Sequence, residues 1–396
     1  MSESPDHDVA ILLPGGGARA AYQVGVLRGV ARILGRDTVQ PFRIICGTSA
    51  GAINAATLAV HADNFRRGVG RLLRWWSALD VGMIYQADLA SVAAHGMRWL
   101  ASVLIGFGGP ERAASMLDNA PLRTLLEQQL DLGQVAQQVQ HGSLRALAIN
   151  ATSYSTGHAV TFYQGASTIA PWRRTRRRGE PAAIRVDHLL ASTAIPFVFP
   201  GERVDDDFFA DGSVRQIAPL SPALHLGARR ILVVPVGQFN GQRPVIGPGA
   251  VPRYPSFAQV AGHALSSIFL DNLGADLERL QRLNQVLQLV PQERQKQHPE
   301  IVHLDALVLS PSQDLGAMAV PFKNNLPRGV RYLLRGFGST EGTGASLLSY
   351  LLFEQPYIRA LLELGFRDAL ARRDEIEAFL APEGTLFDPL FPPELS

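Results

Sequence analysis

The chain has 396 residues, of which 46% are hydrophobic and 18% are charged, and its formal net charge is +2. This composition supplies a large buried core, and the small net charge gives no general reason to expect nucleic-acid binding. A single cysteine, Cys46, excludes an intramolecular disulfide and a cysteine-based zinc site, and we interpret it as a buried packing residue.

The N-terminal residues do not have the pattern of a secretory signal. Residues 1–8 are polar and acidic, and no basic segment followed by an apolar one is found there. The most apolar stretch, residues 99–107, is much shorter than the roughly 20 residues that cross a bilayer. We therefore expect a cytoplasmic protein without a membrane-spanning segment.

Apolar runs that alternate with helix-like segments predict an α/β fold. A buried strand over residues 8–13 precedes helical spacing over residues 18–34, and a second strand and helix follow over residues 42–58. Further strands are predicted at residues 144–151, 159–163, 230–236 and 302–309. Strands separated by helices favour a mostly parallel sheet with helices on both faces.

The remaining segments indicate how the chain is organised. Residues 65–137 are rich in helical patterns and are predicted to cap the strand ends, and a Gly/Pro-rich linker follows the last core strand at residues 237–255. We expect a catalytic core over residues 8–225. A C-terminal extension over residues 226–396 is predicted to complete the sheet and then to be largely helical.

The pentapeptide Gly47-Thr48-Ser49-Ala50-Gly51 lies between a predicted strand and a predicted helix. A serine at such a turn is held at the end of the sheet with its hydroxyl exposed, and Gly47 and Gly51 let the backbone turn without side-chain clashes. Ser49 is therefore the candidate nucleophile.

A glycine loop, Gly15-Gly16-Gly17, follows the first predicted strand and precedes Arg19. Its backbone N–H groups, together with the start of the following helix, can stabilise a negatively charged oxygen. The spacing Gly15-x-Gly17-x-x-Ala20 also fits a loose dinucleotide-binding fingerprint. The acidic residue expected there, Asp37, follows a helix instead of ending a second strand, which disfavours that alternative.

Asp211 ends the apolar run Phe208-Phe209-Ala210 and precedes Gly212. A buried aspartate with a raised pKa can accept the proton of a serine hydroxyl without a histidine, so Asp211 is the candidate general base. The alternative interpretation is an Asp-Gly turn that closes a hairpin.

Together these motifs resemble the patatin-like phospholipase family, which has a glycine-rich loop, a G-x-S-x-G elbow and a D-G-G or D-G-A motif in this order. Residues 191–200, Ala-Ser-Thr-Ala-Ile-Pro-Phe-Val-Phe-Pro, resemble the family's A-S-x-A-x-P segment. The resemblance implies a three-layer α/β/α fold in which Ser49 is the nucleophile and Asp211 is its base. The implied oxyanion hole is formed by Gly16 and Gly17, and the implied supports of this loop are Gly15 and Arg19, with Arg19 either holding the loop or meeting phosphate.

The chain departs from the family pattern at three places. Ala20 stands where many members have glycine, and Ser213 replaces the last small residue of the aspartate motif. An asparagine that often follows this motif is absent from residues 214–219, so the support of the turn at Asp211 is an open question.

The sequence thus predicts a serine lipid acyl hydrolase that needs no metal and no cofactor and acts on a phospholipid or another acyl ester. Two alternatives remain. One is an α/β-hydrolase-type site in which His225, His263 or His303 completes a triad with serine and an acid. The other is a catalytically silent lipid-binding or scaffolding protein of the same fold.

Two clusters of basic residues bear on whether the protein contacts a membrane. Arg66, Arg67, Arg71 and Arg74 precede Trp75 and Trp76, which suits an interfacial helix at a membrane, although tryptophans in a helical segment are more often packed inside a protein. The arginines within residues 173–178 could hold anionic headgroups, but we favour a solvated loop between two elements. We expect a lipid or acyl-ester substrate, with peripheral membrane contact as an option, and no nucleic acid. The oligomeric state is not predicted.

Overall fold

The structure is a computed structural model that describes residues 8–35, 38–86, 115–238, 257–297, 303–331 and 345–381. The strands are β1 Val9–Leu13, β2 Ile44–Thr48, β3 Ala146–Ser153, β4 Ala159–Gly165, β5 Trp172–Arg174, β6 Arg177–Pro181, β7 Glu202–Val204, β8 Asp207–Asp211, β9 Arg230–Val233 and β10 Asp305–Val308. The apolar segment at residues 99–107, Asp37 and most of the linker at residues 237–255 lie outside the described residues.

The helices of the N-terminal part are α1 Ala21–Leu34, α2 Ala50–Val60, α3 Phe65–Ala78, α4 Val81–Ile84, α5 Ala120–Gln129, α6 Gln134–Gln140, α7 Val186–Thr193 and α8 Ser221–His225. Those of the C-terminal part are α9 Phe257–Ser266, α10 Asn272–Gln288, α11 Gln292–Gln297, α12 Leu315–Ala319, α13 Ala345–Leu351, α14 Gln355–Ala371 and α15 Arg373–Leu380. A π-helical turn, Ser267–Asp271, joins α9 to α10.

The strands form one sheet in the order β10-β9-β1-β2-β3-β4-β6-β5. The five strands from β10 to β3 are parallel. The pairs β3–β4, β5–β6, β3–β8 and β7–β8 are antiparallel. This arrangement confirms the predicted α/β class with a mostly parallel sheet, and β9 and β10 show that residues from the C-terminal part extend the same sheet.

Both faces of the sheet are buried, as parallel strands require. Along β1, Ile11 and Leu13 belong to a large apolar cluster that includes residues of α1, α2 and α14, whereas Ala10 and Leu12 belong to a smaller cluster with residues of α8 and α10. The alternation of side chains along each strand therefore divides the core into the two outer interfaces of a three-layer fold.

Strand β3 is shared by two partners along one edge. β2 pairs with its first part and ends with Thr48 opposite Asn150. β8 pairs with its last part, where Asp211 lies opposite Ala151. Because β4 occupies the other edge of β3, the ends of β2 and β8 meet on the same edge.

One local expectation is wrong, and one alternative interpretation is excluded. The arginine-rich segment at residues 173–178 is not a plain loop, because Trp172–Arg174 and Arg177–Pro181 pair as an antiparallel hairpin at the sheet edge. The Asp-Gly step at Asp211 does not close a hairpin either: it ends β8, and a 3-10 turn, Gly212–Val214, follows it. No helix among the described residues is long and apolar enough to cross a bilayer.

Helix α14 lies directly against α1, and glycines allow this close approach. A Cβ atom at Gly25 would lie 2.3 Å from the Leu362 carbonyl oxygen, and one at Gly365 would lie 2.2 Å from the Tyr22 carbonyl oxygen. Backbone atoms cannot retreat from such contacts without moving a whole helix. The first helix is thereby fixed by a helix from the C-terminal part.

We expect Gly25→Ala to lower the free energy of unfolding by about 1–3 kcal/mol, because the methyl group forces α1 and α14 apart. The matched control is Gly70→Ala in α3, where the nearest atom to an added Cβ is 3.7 Å away. That change is expected to be neutral or to stabilise by about 0.5–1 kcal/mol, because alanine favours helix. Urea unfolding of both variants measures the difference, and equal effects would contradict the interpretation of the contact.

Candidate active site

Ser49 occupies a sharp turn between β2 and α2. Its backbone adopts φ 54° and ψ −132°, an unusual conformation for a residue other than glycine. The flanking glycines are needed because a Cβ at Gly47 would lie 2.6 Å from the Ala52 Cα, and one at Gly51 would lie 2.1 Å from the Leu13 carbonyl oxygen. The strained turn is therefore held in place by close backbone packing on both sides of the serine.

Asp211 is 1% exposed at the end of β8. Burial raises the pKa of its carboxyl group to about 6, and hydrogen bonding from Ser49 and from Ser213 partly opposes that rise. Its Oδ1 accepts the Ser213 N–H at 2.9 Å, whereas Oδ2 has no partner of ordinary hydrogen-bond geometry. Oδ2 is thus the carboxylate oxygen that is left free to accept a proton.

The Ser49 turn is held by α7. The Ser49 N–H donates to Ser192 Oγ at 2.8 Å, and the Ser192 hydroxyl donates to the Asn150 carbonyl oxygen at 2.6 Å. Ser192 belongs to the Ala-Ser-Thr-Ala-Ile-Pro segment singled out in the sequence. The segment thus joins the serine turn to the middle of β3.

Asn150 was not anticipated from the sequence. Its Nδ2 donates to Thr48 Oγ1 at 3.0 Å and to the Gly47 carbonyl oxygen at 3.3 Å, while its Oδ1 accepts from Thr161 at 2.7 Å. Its carbonyl oxygen would lie 2.2 Å from a Cβ at Gly212. A polar residue inside an otherwise apolar strand is the signal that could have identified it.

Gln216 occupies the region where the family's asparagine is missing. Thr48 Oγ1 donates to Gln216 Oε1 at 3.0 Å, and Gln216 is 8% exposed. A longer amide therefore links the segment after Asp211 to the strand before Ser49. This contact answers the question that the sequence left open about the support of that turn.

The glycine loop is enclosed by side chains and backbone from beyond the core. A Cβ at Gly15 would lie 2.6 Å from the Phe269 ring, one at Gly16 would lie 2.2 Å from Val236, and one at Gly17 would lie 2.3 Å from the Tyr350 carbonyl oxygen. Gly17 also has φ +53°. Each of the three positions therefore excludes a side chain. Ala20, which stands where many family members have glycine, is buried in the turn that follows the loop.

Arg19 extends from this loop toward α13. Its Nε donates to Ser349 Oγ at 2.8 Å and its Nη1 to the Tyr350 hydroxyl at 3.2 Å, and its guanidinium carbon lies 4.1 Å from the centre of the Tyr350 ring. Arg19 is 4% exposed. It forms no ion pair with any of the described carboxylates, so hydroxyls and an aromatic ring surround the buried cation.

An apolar cavity opens at Ser49. Its wall includes Gly17 from the glycine loop, Trp75 and Trp76 from α3, and Phe353 from the C-terminal part. The empty space, including its opening to solvent, is about 560 Å³. Its apolar lining suits a hydrocarbon chain.

The three candidate histidines lie elsewhere. His225 Nδ1 is 2.8 Å from the Ser221 carbonyl oxygen and its ring stacks on Trp172. His303 Nε2 is 3.1 Å from Asp305 Oδ1, and His263 is exposed on α9. None of the three hydrogen bonds to Ser49 or Asp211, which disfavours a triad.

Within the described part of the chain, no group of three or more His, Cys, Asp or Glu residues has the arrangement of a metal site. Cys46 is fully buried in β2, and burial raises the pKa of its thiol to about 12, in accord with a packing role.

Comparisons with known proteins identify the family of this chain. A relative from Pseudomonas aeruginosa named cGAMP-activated phospholipase is 28% identical over 225 residues, which is 57% of this chain and 58% of the relative's length. The crystal structure of VipD from Legionella pneumophila is matched at 11% identity over 67% of this chain and 56% of that chain, with a TM-score of 0.32. The profile of the family described as patatin-like phospholipase matches residues 11–224, more than half of the chain. The chain therefore belongs to the patatin-like phospholipase family.

Proposed function

We propose that this protein is a serine lipid acyl hydrolase in which Ser49 is the nucleophile and Asp211 is its general base. The observation that carries the proposal is the meeting of β2 and β8 on one edge of β3, which brings a strained serine turn to a buried carboxylate beside an apolar cavity. A scaffolding protein would have no need of either the strain or the buried charge.

In the first half of the reaction, a carboxylate oxygen of Asp211 takes the Ser49 proton while Oγ bonds to the ester carbonyl carbon. The carbonyl π electrons move to oxygen, and the N–H groups of Gly16 and Gly17 donate to this oxyanion. The intermediate then collapses. The bond to the alcohol breaks, and Asp211 returns the proton to the leaving oxygen.

In the second half, water attacks the acyl-enzyme and gives its proton to Asp211. The second tetrahedral intermediate releases the fatty acid, and the proton returns to Ser49. Because the Asp211 pKa is about 6, the carboxyl group is mostly ionised at neutral pH yet basic enough to accept a proton. The substrate class that suits the apolar cavity is an acyl ester with a hydrocarbon chain, including the esters of a phospholipid.

The oxyanion loop is supported from the C-terminal part in this scheme. Tyr350 contributes its carbonyl oxygen beside Gly17 and both its hydroxyl and its ring to Arg19. We infer that Tyr350 is a positioning residue, acting on the reaction through the Gly16 and Gly17 N–H groups.

Ser49→Ala is expected to abolish covalent labelling by a fluorophosphonate and hydrolysis of acyl esters, because the only change is the loss of the attacking oxygen. Ser167→Ala, which alters an exposed serine, serves as the control and should label as wild type. Labelling that persists in folded Ser49→Ala would refute the assignment of the nucleophile. Absence of labelling and of hydrolysis in folded wild type would instead favour the silent lipid-binding protein.

Asp211→Asn is expected to lower kcat by about 10²–10⁴-fold, the usual contribution of a general base. Wild-type kcat/KM should fall as the pH drops below about 6, the pKa of Asp211, because protonation removes the base. A pH–rate profile of both proteins is the measurement. Turnover that survives in the variant but is lost in His225→Ala, His263→Ala or His303→Ala would favour the triad.

The same substitution should stabilise the fold. Burial raises the Asp211 pKa from 3.8 to about 6, so ionisation opposes folding; this penalty is absent below about pH 4 and complete above about pH 6. At pH 8, the free energy of unfolding of Asp211→Asn, measured with urea, should therefore exceed that of wild type by up to about 3 kcal/mol. The difference should shrink toward pH 4. A gain that is equal at pH 4 and pH 8 would contradict the raised pKa.

Tyr350→Phe is expected to lower kcat by about tenfold or more with little change in KM, because it loosens Arg19 and the oxyanion loop but not the acyl cavity. Tyr163→Phe is the control: this tyrosine of β4 is also buried, and its hydroxyl donates to the Ile169 carbonyl oxygen at 3.2 Å. Both variants keep the ring and lose only the hydroxyl, so both should lose some stability. A similar loss of kcat in the two variants would refute the positioning role.

A further inference from the structure

The outer side of α3 is a row of arginines. Helical spacing groups Arg66, Arg67, Arg71 and Arg74 on one side of this helix, and three of them, Arg66, Arg67 and Arg74, are exposed. The opposite side buries Phe65, Val69, Leu72 and Trp76 in the core. The helix is therefore strongly two-sided, with a basic surface and an apolar interior.

The row continues onto α1. Arg28 and Arg32, one helical turn apart on α1, line a surface groove together with Arg66. The floor of the groove is apolar and includes Val69 and Phe366, and its empty space is about 710 Å³. We name the six arginines of α1 and α3 the basic face: Arg28, Arg32, Arg66, Arg67, Arg71 and Arg74.

Few carboxylates neutralise the basic face. Arg67 pairs with Asp63 at 2.8 Å, and Arg28 lies 3.7 Å from Glu363. The other four arginines of the basic face form no ion pair within the described ranges. The charge of the basic face also acts on His61: burial lowers the pKa of His61 most, Asp63 opposes this effect, and Arg67, Arg71 and Arg74 lower the pKa further.

The same helix also forms a wall of the acyl cavity. Trp75 and Trp76 line the cavity at Ser49, which agrees with the internal packing favoured in the sequence analysis over the membrane interface. A helix with its side chains is about 10 Å across. A surface that contacts the arginines would thus lie about one helix diameter from the space proposed for the acyl chain.

We propose that the basic face docks on the anionic surface of a phospholipid bilayer, with headgroup phosphates bound by the arginines along α3 and in the groove. This inference rests on the proposed lipid hydrolysis and adds the surface that brings the enzyme to its substrate. Guanidinium groups bind phosphate oxygens in pairs, and several of them on one surface act additively near an anionic membrane.

A nucleic acid is the competing partner for a row of arginines. Base recognition on such a surface relies on aromatic side chains with free faces. The aromatic residue in the groove, Phe366, already lies under Arg28, whose guanidinium carbon is 4.2 Å from the ring centre. The apolar floor and the occupied ring favour a lipid headgroup.

The test compares two triple variants in a Ser49→Ala background, which keeps the vesicles intact. Arg32→Gln/Arg66→Gln/Arg74→Gln removes three unpaired charges from the basic face. The control, Arg173→Gln/Arg174→Gln/Arg176→Gln, removes three exposed charges from the β5–β6 hairpin. Co-sedimentation is measured with phosphatidylcholine vesicles and with vesicles that also contain phosphatidylglycerol, at low and high salt.

We expect binding to the phosphatidylglycerol vesicles only, weakened by salt. The basic-face variant should lose about 5-fold in affinity for each arginine, on the order of 100-fold in total, whereas the hairpin control should bind nearly as wild type. Equal losses in the two variants, or unaltered binding by the basic-face variant, would overturn the proposal. Binding to a DNA or RNA duplex that depends on the basic face, with vesicle binding unaffected, would assign the surface to nucleic acid instead.

A second measurement separates this proposal from the proposed function. With Ser49 restored, the basic-face variant should hydrolyse a soluble short-chain ester as wild type does, because none of its three substitutions touches the cavity. It should hydrolyse phosphatidylglycerol vesicles more slowly. If wild type hydrolyses neither substrate, the proposed function fails, and the vesicle-binding result still decides the docking surface.

Discussion

The site depends on one feature of the sheet, the division of a single edge of β3 between β2 and β8. Each neighbour pairs with a different part of β3, so the end of one strand abuts the end of the other. Asn150 lies at this junction and hydrogen bonds to the residues that precede Ser49, while its carbonyl oxygen accepts from Ser192 and packs against Gly212. Backbone pairing, which tolerates little displacement, thus sets how closely the serine and the aspartate approach.

The glycine loop is constrained by contacts with the C-terminal part of the chain and not by strand pairing. Val236, Phe269 and Tyr350 leave no room for a side chain at the three glycines, and Arg19 is enclosed by α13. The family profile ends at residue 224, yet every one of these contacts lies beyond it. Residues outside the recognised core therefore help to shape the proposed oxyanion hole, and a boundary between core and extension does not separate the site from the rest of the chain.

Burial gives the proposed base its basicity and also opposes folding. The Asp211 carboxyl group lies where water cannot solvate its charge, so its pKa rises to about 6. The hydrogen bond from the Ser213 N–H limits the rise. The stability of the surrounding sheet must offset the remaining free-energy cost of burying the ionised carboxylate. The unusual backbone of Ser49 adds strain at the same point. The two features most suited to catalysis are thus the least favourable for stability.

By itself the sequence determined the α/β class, the positions of the five parallel strands along the chain and the identity of the motifs, because side-chain alternation, glycine turns and residue chemistry are local properties of the chain. Only the tertiary structure decided which residues surround those motifs. The sequence marks Asn150 only as a polar residue in an apolar strand, and its partners are decided by the fold. Tyr350 could not be predicted, since it acts on residues far from it in sequence. The position of the α3 tryptophans at the cavity depends on packing that local spacing cannot specify. The hairpin at residues 172–181 likewise depends on pairing with β4. Contacts between distant segments arise from the fold as a whole, so no local pattern contains them.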